Sequence, residues 1–365
     1  MKNRCAYRLY LSVVLFVLCG GASGSELSAL YAKYTQALES GDRSNTANAA
    51  RAVYEFASEN LPESSKSRVA ASLNYGRSLL ALEQHHVADG VIHKALVLSR
   101  GIYEENAIEH VDALMLLAQA RAGNVGNSSR SRYRDFIDEA LEIVEKNSGK
   151  HSFFYANTLL EGGRIGVDNA VDRYADRYLQ AAYTAFRGPL SAHELERFLS
   201  GFYMGKYLLL RNRYQEAEAY LSEAVALADS SSKRDSQLEL TARAFLVRVY
   251  EQMGLSEKSA EQCRLIGQAT PFSADQEAKP LFSARLDYPR SALQRGAEGY
   301  AIAEFTITDT GVADDIRIVE TKGSQGFGRS AEEYIERLRF APRFENGEAV
   351  DTPSQKLRVN FNLVK

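Results

Sequence analysis

Three stretches of this 365-residue chain carry residue types at spacings that could do chemistry. His85, Asp89 and His93 follow at four-residue steps, so a helix would align them on one face. Two imidazoles and a carboxylate are part of a zinc or nickel donor set. No fourth ligand lies nearby in sequence, and Asp89 and His93 follow core positions and are expected to face solvent. Gly323 to Ser330, GSQGFGRS, approaches a glycine-rich phosphate loop set between a strand and a helix. Arg329 stands where that loop needs lysine, and the flanking strands read as an antiparallel hairpin. The glycines are expected to serve a connection and a helix entry. Ser230 and Lys233 have the Ser-x-x-Lys spacing of an acyl-transfer nucleophile. They lie in the polar loop DSSSKRDS, without the companion Ser-Asp-Asn or Lys-Thr-Gly motifs. The expectation is a binding protein and not an enzyme, with no catalytic residue, no cofactor and no metal.

The elements that would position these residues are mostly helices. Residues 25–268 show apolar positions at three- and four-residue steps, the pattern of successive amphipathic helices. In the 171–187 helix, Tyr174, Tyr178 and Phe186 form a stripe that could line a ligand surface; core packing is the plainer reading. Charge is balanced, with 44 basic and 47 acidic residues and no basic stripe, which argues against a nucleic-acid partner.

The first residues predict export. Lys2, Arg4 and Arg8 precede an apolar run from Leu9 to Leu18, and Ala22-Ser23-Gly24 make a small-residue exit. Residues 1–24 therefore read as a signal peptide, with an apolar core short of the roughly 20 residues that span a bilayer. Leu18 before Cys19 argues against lipidation. Cleavage after Gly24 leaves one cysteine, Cys263, expected to be a buried inert thiol. It also leaves no integral membrane span. The expected location is the periplasm. The alternative is an uncleaved segment that keeps the chain at the inner membrane.

An internal repeat runs through the helical region. Gly76 lies 12 residues before Ala88, with Ile92 and Ala95 following; Gly205 lies 12 before Ala217, with Leu221 and Ala224 following. Small residues at these positions let antiparallel helices approach closely. The pattern resembles the tetratricopeptide repeat (TPR), in long degenerate units of about 43 residues. About six helix pairs are expected, stacked as a solenoid because each pair alone leaves an apolar face exposed. Residues 269–285, with two prolines and little periodicity, read as a linker.

The last segment, 286–365, changes character. From Gly299, residues Ala301, Ala303, Phe305 and Ile307 alternate onto one face. A turn at Asp309-Thr310-Gly311 leads to a second strand with Val312, Ile316 and Ile318 inward. Phe327, Ala331, Tyr334, Ile335 and Leu338 mark a helix, and Asn346-Gly347 a further turn. Leu357, Val359, Phe361 and Leu363 alternate along a closing strand. The expected fold is a small α+β domain with a three-stranded antiparallel sheet.

This segment resembles the TonB C-terminal domain family. The resemblance rests on Tyr288, Pro289, Ala292, Gly299, Phe305, Ile307, Gly311, Phe327, Ala331, Phe340, Pro342, Gly347, Val350 and the apolar closing strand. Gly328 and Leu338 depart from the family at packing positions. The resemblance implies a periplasmic binding domain that contacts outer-membrane receptors by pairing a receptor peptide beside its last strand. Carried onto this chain, the edge is the strand of Leu357, Val359, Phe361 and Leu363. The implied partners are envelope proteins, TonB-dependent outer-membrane receptors or a second copy of the chain. A long proline-rich spacer is absent from this sequence, so an adaptor role is expected ahead of energy transduction; the alternative is a TonB-type energy transducer component held at the inner membrane.

Overall fold

The computed structural model describes residues 22–124, 132–170, 174–230, 236–270 and 278–363. The expected leader lies outside these residues up to position 21. Among the described residues no helix is long and apolar enough to cross a membrane.

Among the described residues, twelve α-helices lie between positions 22 and 269. They are α1 (Ala22–Ser40), α2 (Arg43–Asn60), α3 (Lys66–Ala81), α4 (His85–Ile102), α5 (His110–Gly123) and α6 (Tyr133–Ser148). Then come α7 (Phe153–Ile165), α8 (Ala175–Arg187), α9 (Glu194–Leu210), α10 (Tyr214–Ser230), α11 (Ser236–Met253) and α12 (Ser256–Ala269). A π-helical turn, Gly166–Ala170, follows α7. The odd-numbered helices from α3 onward begin at residues 66, 110, 153, 194 and 236, steps of 41 to 44 residues. That is the repeat length expected from the two glycine-containing units.

Local chemistry sets the breaks. Asp42 caps α2 by accepting from the amides of Ser44 and Asn45. Ser152 caps α7 through the Tyr155 amide. Gly41, Gly149 and Gly254 take positive φ in the loops between helices.

The chain divides into two compact units, residues 1–207 and 208–365. In the first, each helix from α1 to α7 packs on its successor, and α5 also touches α3 and α7. Gly76 shows why its position is small: a Cβ there would run into the Ile92 side chain. Ala88, Ile92 and Ala95 are fully buried opposite it. Polar contacts also join residues 35 to 40 apart along the chain. Arg77 binds Asp112 with both carboxylate oxygens at 2.7 Å, Arg100 meets Glu139 at 2.5 Å, Tyr178 donates to Asp138 at 2.7 Å, and Lys206 meets Asp168 at 2.6 Å.

The second unit contains α10, α11 and α12 together with the C-terminal module. Of the stretch read as a linker, residues 278–285 before the module are described, and they make contacts of their own. Phe282 pairs with Arg339 as an isolated antiparallel bridge, and the Leu281 amide also donates to the Arg339 carbonyl. Phe282 is buried with Val247, Cys263 and Ile266 of the helices. The two prolines hid this, because a single bridge and one apolar plug leave no periodic signal.

The module adds α13 (Arg290–Gln294), β1 (Gly299–Ile307), β2 (Ala313–Lys322), α14 (Gly326–Ile335), β3 (Arg343–Glu345), β4 (Glu348–Val350) and β5 (Thr352–Phe361). Its sheet has the order β2-β1-β5, antiparallel throughout, and β3-β4 form a separate two-stranded hairpin. That hairpin turns on Asn346 and Gly347, both at positive φ, as a tight two-residue loop requires. Ala301, Ala303, Phe305 and Ile307 are buried against Phe327, Ala331, Ile335 and Leu338. Val359 and Phe361 join the same core, and Ile316 and Ile318 pack at its margin.

Candidate functional site

A three-stranded sheet has two edges, and the backbone decides which one can take another strand. Each edge presents N–H and C=O groups without a sheet partner. The β2 edge is broken twice. Ile302 pairs with Glu320 while Ala303 pairs with Ile318, so Val319 bulges out; Glu304 pairs with Arg317 while Thr306 pairs with Asp314, so a second bulge falls at 315–316. Asp315 has φ 49° there, and Val319 is 54% exposed. Bulges twist an edge away and interrupt its repeat.

The β5 edge differs. Its one irregularity lies at Pro353-Ser354, where Ser354 has φ 59°. From Gln355 to Phe361 every residue pairs in unbroken register with Phe305 to Gly299. Seven consecutive residues at a strand rise of about 3.3 Å offer an accepting edge of about 20 Å. Beside it, on the face opposite the core, lie Lys356, Arg358 and Asn360, all exposed. The Arg358 guanidinium sits 3.7 Å from the Tyr300 ring centroid, a cation–π contact. The Tyr300 hydroxyl donates to Glu320 at 2.5 Å, and Lys356 lies 3.6 Å from Glu304. These contacts tie all three strands across the open face. The Tyr300 phenol is held above its ordinary pKa, first by its hydrogen bond to Glu320.

The four residues named for this edge occupy different places. Val359 and Phe361 are core residues, 5% and 0% exposed. Leu357 is half-buried against the core. Leu363 lies just beyond β5, where its amide donates to Glu298 at 2.7 Å. Any contact at this edge therefore runs along the backbone of β5 and not through those apolar side chains. Sequence alternation marks the strand but cannot distinguish its buried face from its open edge. The bulges that decide between β2 and β5 carry no sequence signal beyond the short polar residues Asp315 and Ser354.

The family residues frame the site without lining it. The Tyr288 hydroxyl donates to the Ala297 carbonyl at 2.5 Å. Its ring meets Phe327 and Phe361 edge-on, with centroids at 5.7 and 5.6 Å. Phe305 packs on Phe340 at 5.4 Å. Pro289 opens α13, and Gly299 lies too close to the Lys322 carbonyl for any side chain. Gly311 has φ +81° and faces the Phe340 carbonyl. Pro342 abuts Gly267 of α12, and Gly347 completes the β3–β4 turn.

The other candidates take structural places. Asp89 pairs with Arg121 at 3.0 Å, and the Arg121 guanidinium lies over the Phe136 ring. The His85 ring packs on Gly123, and burial lowers its pKa. His93 is exposed. Among the described residues no cluster of His, Cys, Asp and Glu could hold a metal ion. Arg329 forms an exposed pair with Glu333 one helical turn on, at 2.9 Å, and β2 before it runs antiparallel to β1. That is not the strand–helix–strand setting of a phosphate loop. Tyr178 and Phe186 are core; burial raises the Tyr178 phenol pKa, and its bond to Asp138 adds to this. Lys233 lies outside the described residues, and Ser230 ends α10.

Residues 284–363 match the family model described as Gram-negative bacterial TonB protein C-terminal. Protein TonB of Pseudomonas aeruginosa is 37% identical over 83 residues, which are 23% of this chain and 24% of that protein. The chain thus spans about a quarter of the length of that curated relative. The solution NMR structure of the P. aeruginosa TonB CTD is 35% identical, covers 25% of this chain and 92% of its own, with a TM-score of 0.22. The crystal structure of BtubC (BKLC) from P. vanneervenii is 14% identical and covers 74% of this chain and 99% of its own, with a TM-score of 0.48. By the family match and the fold of the module, residues 284–363 form a domain of the TonB C-terminal family, carried in this chain behind TPR-like helical repeats.

Proposed function

We propose that this chain is an exported, non-enzymatic interaction protein of the periplasm, and that its C-terminal module takes a short extended peptide from a cell-envelope partner as a fourth strand on β5. The observation that carries the reading is the unbroken register of Gln355 to Phe361 on an edge with no further strand among the described residues. Main-chain hydrogen bonds along such an edge supply affinity with little demand on sequence, and alternate side chains supply specificity. The family match makes the N-terminal segment of an outer-membrane receptor the first peptide to try. The helical repeats supply a second recruiting surface, as stacked helix pairs do in repeat proteins. Non-enzymatic action is favoured by the structural places taken by His85, Asp89, Arg329 and Tyr178.

The test is hydrogen–deuterium exchange of the whole chain with and without a receptor-type peptide. Strand addition predicts added protection in 355–361 and none in β2. Protection confined to β2, or none anywhere in the module at saturating peptide, refutes it.

A further inference from the structure

We infer that the helix pair α11–α12 is the resident partner of the TonB-like module, so that residues 208–363, and not the family-matched 284–363, form its working unit. Three sets of contacts meet at one place. Residue 339 is a hub of main-chain pairing: the Leu281 amide donates to its carbonyl at 2.7 Å, and its own amide donates to Phe282 at 3.2 Å. Next to it the Phe340 amide donates to Gly311 at 2.8 Å, which ties the hub to the β1–β2 turn. The Arg339 side chain reaches the helices: Nε lies 2.9 Å from Oε1 of Glu251 on α11, with the two side chains 15% and 10% exposed. Phe282 closes the apolar part, 8% exposed beside Val247, Cys263 and Ile266.

Two glycines show how close the fit is. A Cβ at Gly267 of α12 would overlap the Pro342 carbonyl just before β3, and a Cβ at Gly311 would overlap the Phe340 carbonyl with Cys263 alongside. α12 also touches both β3 and β4. An ion pair this secluded holds its geometry because removing one partner strands the other in a poorly solvated place. The face around Gly311, Phe340 and the β3–β4 hairpin is therefore taken by the chain itself and closed to any other partner. What this leaves for a partner, the β5 edge, rests on the strand-addition reading above; the occupancy of the hairpin face does not.

The experiment is hydrogen exchange of the whole chain in wild type, Glu251→Ala and Glu251→Gln. Cooperation predicts that both substitutions speed exchange in α12 and in 339–350 together, by about tenfold or more for the alanine, while α3–α6 stay unchanged as internal reference. The glutamine keeps the shape and is the milder variant if the alanine fails to fold. A combined Glu251→Arg, Arg339→Glu swap is expected to recover part of the loss seen in either single change. If α11–α12 loosen in the variants while 339–350 keep wild-type rates, or the swap exchanges faster than both single variants, the inference falls. Peptide protection at β5 is read in the same samples, so loss of strand addition and loss of the docked base appear in different segments.

Discussion

Single residues in this chain act mainly through the room they leave. Gly76 gives Ile92 its place, so Gly76→Val forces overlap in a closed core. Such overpacking costs about 1–3 kcal/mol, and a lower midpoint in urea with unchanged slope is the expected readout. Gly311 combines close approach with a left-handed backbone, so Gly311→Ala is destabilising on both counts. Cys263 makes a prediction of a different kind. Burial pushes its thiol up to about 12 from the usual value of 9.0. A raised thiol pKa means that folding favours the neutral form. That stability is fully present below pH 9.0 and is lost as pH rises toward about 12. In the native chain at pH 8 the Cys263 peptide should stay unmodified by a thiol reagent and react once unfolded. Rapid native labelling would show that the thiol is open.

At the scale of elements, the two sheet edges behave differently although both strands alternate. Val319 sits on a bulge in solvent, so Val319→Lys should change stability by less than about 0.5 kcal/mol and leave peptide binding intact. Arg358→Pro removes an amide from the regular part of β5 and fixes its φ. It should abolish peptide-induced protection, measured beside its own thermal midpoint to separate unfolding from lost binding. Arg243 on α11 illustrates a polar element contact: 5% exposed, it meets Glu239 at 3.0 Å, Asp229 at 2.6 Å and Gln262 at 3.2 Å. Arg243→Ala leaves Glu239 buried without its partner, and a loss of about 3–5 kcal/mol is expected in chemical denaturation.

At the scale of the whole molecule, legibility in the sequence followed periodicity. The Gly76–Ala88–Ile92–Ala95 offsets foretold the helix pair and its close approach, and two such units were enough to set the repeat length. Alternation from Ala301 to Ile307 and from Leu357 to Phe361 foretold the buried face of the sheet. Features that depend on one residue meeting a distant one left no such trace. Phe282 falls in a stretch that reads as a linker, and nothing in the sequence joins Arg339 to Glu251, 88 residues away. The Val319 bulge is visible only once β1 and β2 are paired. The edge expected to bind comes from the family resemblance; the register adds only that β5 pairs without a break from Gln355 to Phe361.

The most direct test of strand addition is site-specific photocrosslinking in intact cells. A photoreactive residue would be placed at Asn360 on β5 or at Val319 on β2, and crosslinked peptides would be mapped on the partner. The account predicts adducts from Asn360 to a short extended segment of an envelope protein, with Val319 silent. Adducts from Val319 with Asn360 silent would contradict it.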